Sequence, residues 1–204
     1  MGSIARWLDR VAYPNYEDRW DERLFREMIL SRIEPRHRVL DLGAGRGRVA
    51  EMHFRGRCEF VAGVDPDPAV LSNPHVDESR QLEPPDFEIP YDADSFDLVF
   101  SDSVLEHVTD PAGYFAEVAR VLKPGGRFLT KTPNKHHYVT TLARLTPHWF
   151  HQAVNKWRGR AHGDTFPTVY RCNTRRQFLK YVESSQLQLD HFQIVEGRPE
   201  YLRG

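Results

Sequence analysis

Residues 39–47 read Val-Leu-Asp-Leu-Gly-Ala-Gly-Arg-Gly. An apolar run carrying one acid, Asp41, breaks into the alternating glycines Gly43, Gly45 and Gly47, with Ala44 between the first two. This is the pattern of a buried strand entering a turn whose backbone must come close to something. Glycine suits such a turn because it lacks Cβ and adopts positive φ without penalty. A helical stretch is expected over about Arg48–Arg55, with its free N–H groups facing the turn. The spacing is G-x-G-x-G, not the G-x-G-x-x-G of dinucleotide-binding turns. A turn that is merely structural would carry the same glycines.

The next apolar run, Phe60-Val61-Ala62-Gly63-Val64, ends at Asp65. A carboxylate at a strand tip some 20 residues past a glycine turn suits two ribose hydroxyls. The plainer role is a helix N-cap, because Pro66-Asp67-Pro68 opens a helical run; Asp67 is the better placed cap. A third block follows, a strand at Ser95–Ser101 and then Leu105-Glu106-His107-Val108. The spacing of Phe115, Val118, Ala119 and Leu122 predicts a helix over Ala112–Leu122. Lys123-Pro124-Gly125-Gly126 should end it, and Arg127–Thr132 reads as the next strand.

Five blocks stand in order: V-L-D-L-G-A-G-R-G, G-V-D-P-D (63–67), S-F-D-L-V-F-S (95–101), L-E-H-V (105–108) and E-V-A-R-V-L-K-P-G-G (117–126). As a set they resemble the class I S-adenosylmethionine-dependent methyltransferases of the type 11 family, over about residues 35–135. The resemblance implies an α/β fold: a doubly wound, mostly parallel, Rossmann-like sheet. It also implies S-adenosyl-L-methionine as cofactor. By the same resemblance, Asp41 and the backbone of Gly43, Ala44, Gly45 and Gly47 line the methionine and ribose side. Asp65 takes the ribose hydroxyls, with Pro66 beside it. Ile89-Pro90-Tyr91 matches a family segment preceded by an acid, here displaced by one residue. That puts Asp86 at the adenine amino group and Phe87 against the ring. Ser101 and Asp102 fall beside the methionine moiety and the acceptor.

The elements around these residues read as one domain over 1–204, as a chain of this length suggests. Residues 1–34 form an N-terminal helical segment, with a helix over Asp21–Ile33 presenting Leu24, Phe25, Met28, Ile29 and Ile33. Residues 35–132 form the cofactor-binding core. Residues 72–94 are proline- and acid-rich and read as a loop around a short strand near Ser79–Leu82. Residues 133–172 carry an aromatic stripe and read as a helical acceptor cover inserted after the fifth strand. Residues 173–204 hold a helix from Thr174 to about Ser184, capped by Asn173 or Thr174, and a strand at Gln188–Val195. By resemblance a seventh, antiparallel strand should follow; with Gly204 so near, it is expected to be short or missing.

Candidate general bases are His136 and His137 at the rim after the fifth strand, and His107 in L-E-H-V, where packing is the competing role. A histidine near neutrality suits removal of a hydroxyl proton; a carboxylate acceptor would need no base. Trp149, Tyr170 and Arg171 are the candidate acceptor-binding residues. The ten histidines show no paired ligand spacing and the two cysteines no metal-like spacing, so no metal is expected. Two unpaired cysteines fit a cytoplasmic protein. The formal net charge of −1 makes no electrostatic case for nucleic acid or a membrane surface. No apolar run approaches a membrane span. The expected partner is a small-molecule acceptor with a hydroxyl or carboxylate oxygen. No Asn/Asp-Pro-Pro-Tyr/Phe motif follows the fourth strand, which disfavours amino-group methylation. The rival is a non-catalytic cofactor-binding or assembly protein on the same fold.

Overall fold

The computed structural model describes residues 20–83, 87–135 and 167–195. Helix α1 spans Trp20–Leu30. It stops short of the expected Ile33 because the chain tightens into a turn there, Arg32 N–H bonding back three residues to Ile29 C=O before Pro35. Phe25 and Ile29, four residues apart, lie on one buried face.

Strand β1 covers Arg38–Leu42, β2 Phe60–Asp65, β3 Glu78–Gln81, β4 Phe96–Asp102 and β5 Leu122–Lys131. They form one sheet in the order β3-β2-β1-β4-β5. Every pairing is parallel, as alternating strands and helices require. Helix α2 spans Pro111–Val121, its N-cap Asp110 accepting from Ala112 N–H. Helix α3 spans Arg175–Ser184. Of the two cap candidates it is Thr174 that caps α3, its Oγ1 accepting from Gln177 N–H at 3.3 Å.

The alternation along β1 sorts the core. Val39 packs with Phe25, Ile29, Val61, Leu98 and Phe100 on the α1 face. Leu40 and Leu42 pack with Val64, Val99, Tyr114, Phe115 and Val118 on the α2 face. The two faces give the doubly wound arrangement expected from the sequence.

Several local expectations fail. The stretch after the glycine turn is a short 3-10 turn, Ala50–Met52, not a helix over 48–55. The run opened by Pro66 is likewise a 3-10 turn, Pro68–Ser72, with Asp67 as cap through Ala69 N–H. Strand β5 begins at Leu122, directly from α2, so the Lys-Pro-Gly-Gly segment lies within it; the register slips between Phe96 and Leu98 to take up the extra residues. Residues 188–195 form no strand: Asp190 is tied to Arg127 at 2.7 Å and Phe192 packs on Phe178, but no ladder to β5 forms. The helical cover after the fifth strand falls mostly on residues 136–166, outside the described ones, as does everything after 195. Among the described residues no helix is long and apolar enough to cross a membrane.

Candidate functional site

Strand order places β1 between β2 and β4, which leave it in opposite directions. The carboxyl ends of β1 and β4 are therefore the switch point where open parallel sheets bind ligands. Period-two alternation sends Val39 and Asp41 of β1 to the α1 face. The register pairs Asp41 with Gly63 of β2 and with Phe100 of β4. Asp65 and Asp102 lie two residues further on, so they share that face. Three adjacent strands thus bring three carboxylates to one end of one face.

Their charges repel. Burial first, then Asp102 and Asp65, push the Asp41 carboxyl well above the usual carboxylate range. Asp41 accepts no hydrogen bond among the described residues. Burial raises Asp102 as well, opposed by Lys131, whose Nζ lies 3.1 Å from Asp102 and 3.3 Å from Asp21. Burial also raises Asp65, opposed by backbone donors. Asp65 Oδ1 accepts from Asp67 N–H at 2.7 Å and Oδ2 from Gly45 N–H at 2.9 Å. The candidate ribose ligand therefore also braces the glycine turn, and each oxygen keeps a lone pair for a further donor.

The three glycines have different reasons. All have positive φ: 96° at Gly43, 46° at Gly45 and 68° at Gly47. A Cβ on Gly43 would stand 2.3 Å from Val104 Cγ2, and one on Gly47 2.5 Å from Asn73 Oδ1. A Cβ on Gly45 meets nothing nearer than Asp65 Oδ2 at 3.8 Å. Gly43 and Gly47 are packed by the protein, whereas the open side of Gly45 is shared only with the Asp65 carboxylate. An open backbone, a carboxylate with spare lone pairs and a half-buried acid without a hydrogen-bond donor among the described residues fit a ligand bearing hydroxyls and positive charge. S-adenosylmethionine, with its ribose, ammonium and sulfonium, is such a ligand.

One crevice follows the carboxyl ends of the strands and continues along the outer edge of β5. Asp41, Gly43, Ala44, Gly47 and Asp102 line it. Gly45, Asp65, Pro66 and Phe87 do not, although Gly45 and Asp65 adjoin it through the turn. Pro66 is exposed. Phe87 packs its ring on Tyr114, centroids 4.8 Å apart, as part of the core. Ser101 is fully buried on the opposite face, its hydroxyl bonded to Thr130 Oγ1 at 2.9 Å, so its side chain is turned away from the carboxylates. Asp86 lies outside the described residues.

The acceptor side divides similarly. His136, His137 and Trp149 lie outside the described residues. His107 does not line the crevice; its Nδ1 donates to Pro167 C=O at 3.1 Å and its Nε2 stands 4.0 Å from Glu106. Tyr170 does line it, held at φ 51° with its N–H on Glu106 C=O at 3.1 Å. Arg171 is tied to Thr109 C=O instead. Among the described residues no three His, Cys, Asp or Glu side chains are placed to hold one metal ion.

Three polar residues were missed. Asn73 donates from Nδ2 to Ala44 C=O and Gly45 C=O, both at 3.2 Å, and accepts from His75 N–H. It fixes the glycine turn from the far side. Glu106, 6% exposed, accepts from Thr132 Oγ1 at 3.1 Å, and Asn173 Nδ2 donates to Thr132 Oγ1 at 2.6 Å. The signal for Asn73 was its Asn-Pro step, a turn marker. Glu106 was visible as an acid flanked by apolar residues in L-E-H-V.

Residues 40–130 match the family described as methyltransferase domain. A ubiquinone biosynthesis O-methyltransferase from Maricaulis maris is 32% identical, over 55% of this chain and 46% of that protein. A tRNA U34 carboxymethyltransferase from Hahella chejuensis is 31% identical, over 55% of this chain and 39% of that protein. The chain spans about half or less of the length of these curated relatives. Among solved structures, a SAM-dependent methyltransferase from Methanosarcina mazei superposes with a TM-score of 0.59 at 20% identity, covering 85% of this chain and 90% of that one.

Proposed function

For a chain whose residues 40–130 form a class I S-adenosylmethionine-dependent methyltransferase domain, we propose methyl transfer to an oxygen of a small-molecule acceptor, a hydroxyl or a carboxylate. The observation that carries the reading is the same-face array of Asp41, Asp65 and Asp102 over an open glycine turn. When bound, S-adenosylmethionine supplies a methyl on a cationic sulfur, which is left as a neutral thioether once the C–S bond has given way to an O–CH3 bond.

The chain's own residues supply the rest. Asp65 accepts hydroxyl donors, and Gly45 lets the backbone approach. Asp41 and Asp102 favour positive charge in the crevice, and Lys131 opposes the upward push that burial gives the Asp102 carboxyl. Oriented, fixed groups of this kind lower a barrier by positioning rather than by bonding. An acceptor hydroxyl must also lose its proton; His136 and His137 are the proposed bases.

The oxygen acceptor draws support from relatives named as O-methyltransferases, and the small-molecule acceptor from the near-zero net charge. The rival, a protein that binds the cofactor without turnover, is favoured by His107: the one described base candidate is engaged with Pro167 and does not line the crevice. Release of S-adenosylhomocysteine from S-adenosylmethionine in a metabolite extract separates the two. Binding of both cofactor forms without release supports the rival.

A further inference from the structure

Two histidines meet at the glycine turn, on its Asn73 side. The rings of His53 and His75 stack with centroids 3.4 Å apart and planes 15° from parallel. His53 Nε2 lies 2.9 Å from Gly47 C=O. A carbonyl can only accept, so Nε2 carries the hydrogen and His53 donates. A trans peptide points its C=O and N–H in opposite directions, so this one bond orients the whole Gly47–Arg48 peptide. The His75 backbone N–H donates to Asn73 Oδ1 at 2.9 Å, and Asn73 in turn holds the Ala44 and Gly45 carbonyls. The pair therefore grips the turn directly at Gly47 and backs the Asn73 grip at Ala44 and Gly45. Gly47, His53, Asn73 and His75 all line the crevice that Asp41 and Asp102 line.

Stacked imidazoles make a clamp that titrates, because each ring can take a proton between about pH 5 and 8. One proton on the pair leaves the His53 donor in place. A second would set two cations face to face at the 3.4 Å ring separation, where like charges repel. The charged groups on the elements packed here are Arg26 of α1, whose Nη1 donates to His53 C=O at 3.1 Å, Arg48 and Glu51 between Gly47 and His53, and Arg55, paired with Asp77 at 2.7 Å. Partial burial, then His53 and Arg55, hold the His75 ring below the usual histidine range. An unstacked His75 therefore takes up a proton that the stacked one refuses, and the stack loses stability as pH falls through that range.

We infer that His53 and His75 are positioning residues for the cofactor: the stacked pair holds the glycine turn in its ligand-binding shape, and a second proton on the pair releases it. The pair acts through Gly47 rather than by touching the cofactor. The inference concerns cofactor binding alone and stands whichever atom accepts the methyl group.

The test measures S-adenosylhomocysteine affinity of the whole chain by calorimetry at about pH 8 and about pH 5.5, on either side of the ordinary histidine pKa. His53→Phe keeps a ring against His75 and loses the donor. Its Kd at the higher pH should rise about three- to tenfold, the scale of one hydrogen bond. His53→Gln restores an N–H donor and should recover most of that loss; a packing role predicts the reverse order, with Phe the better substitute. His75→Phe removes the second proton site while keeping a ring on His53. Its Kd should rise on acidification by a factor about threefold or more smaller than the wild-type factor. Asp41 titrates in both proteins, so the comparison isolates the histidines. Wild-type affinity in His53→Phe, no recovery in His53→Gln, or equal pH factors in wild type and His75→Phe overturns the inference. If His53→Phe does not fold, the wild-type and His75→Phe factors still decide it. If the wild-type protein binds no S-adenosylhomocysteine at either pH, the cofactor assignment fails as well.

Discussion

The Asp65 carboxylate accepts the Gly45 amide at 2.9 Å. One hydrogen bond thus joins the tip of β2 to the turn after β1 and makes the two halves of the candidate cofactor site a single unit. Gly45 is the only one of the three turn glycines whose Cβ position the protein leaves open.

Asp65→Ala should therefore do two things. It should weaken S-adenosylmethionine binding by roughly 1.5–3 kcal/mol, the scale of charge-assisted hydrogen bonds. It should also lower the melting temperature, because Gly45 and Asp67 lose their acceptor. Calorimetry and thermal unfolding on the same sample check both. Unchanged affinity in the folded variant removes Asp65 from the site.

The glycines should separate by cause. Gly45→Ala should fold, with a left-handed strain of about 1–2 kcal/mol, and lose cofactor affinity. Gly43→Ala and Gly47→Ala should mainly fail to fold, since each Cβ overlaps a neighbour as well as being strained. Circular dichroism melts beside cofactor titrations would show this. Equal melts for the three variants would contradict it.

Asp41 sets a pH dependence. Its carboxyl is raised in the folded state by burial and by Asp102 and Asp65, so the folded protein holds a proton that the unfolded chain has released. Its contribution to stability is therefore largest below the ordinary carboxylate pKa and declines as pH rises to the folded value. Asp41→Asn should raise the melting temperature of the cofactor-free protein at neutral pH. The gain should shrink on acidification. The same substitution should weaken binding of the cationic cofactor, and wild-type affinity should fall as pH drops and Asp41 protonates. A melting temperature that Asp41→Asn lowers at neutral pH would contradict the account.

Asn73 holds Ala44 C=O and Gly45 C=O in place. Asn73→Ala should cost about 1–3 kcal/mol of stability through the orphaned groups, with a secondary loss of cofactor affinity. Cofactor affinity lost without any change in melting temperature would instead put Asn73 in contact with the ligand.

The sheet was legible in the sequence because β1, β2 and β4 are short apolar runs closed by glycine or acid, and α2 repeats its apolar residues at helical spacing. The carboxylate array was only half legible. Asp41, Asp65 and Asp102 were each singled out, but their common face depends on register between strands, which no local pattern encodes. Ser101 misled because it neighbours Asp102 in sequence, while alternation turns it to the opposite face. The stretch after Gly47 misled because its helical spacing is weak and Gly56 follows; packing of Met52 and Phe54 set its shape. Asn173 could be read as a cap but not as a crevice residue, because its partners Thr132 and Pro133 are 41 and 40 residues away.

The central claim is methyl transfer to oxygen, and the direct measurement uses S-adenosylmethionine carrying a 13C-labelled methyl group, incubated with the protein and a metabolite extract, with Asp65→Ala as control. The account predicts S-adenosylhomocysteine release matched by a new 13C resonance of an O–CH3 group, both strongly reduced with the control at sub-saturating cofactor. Cofactor binding with no labelled product, or a label that appears on nitrogen or carbon, would contradict it.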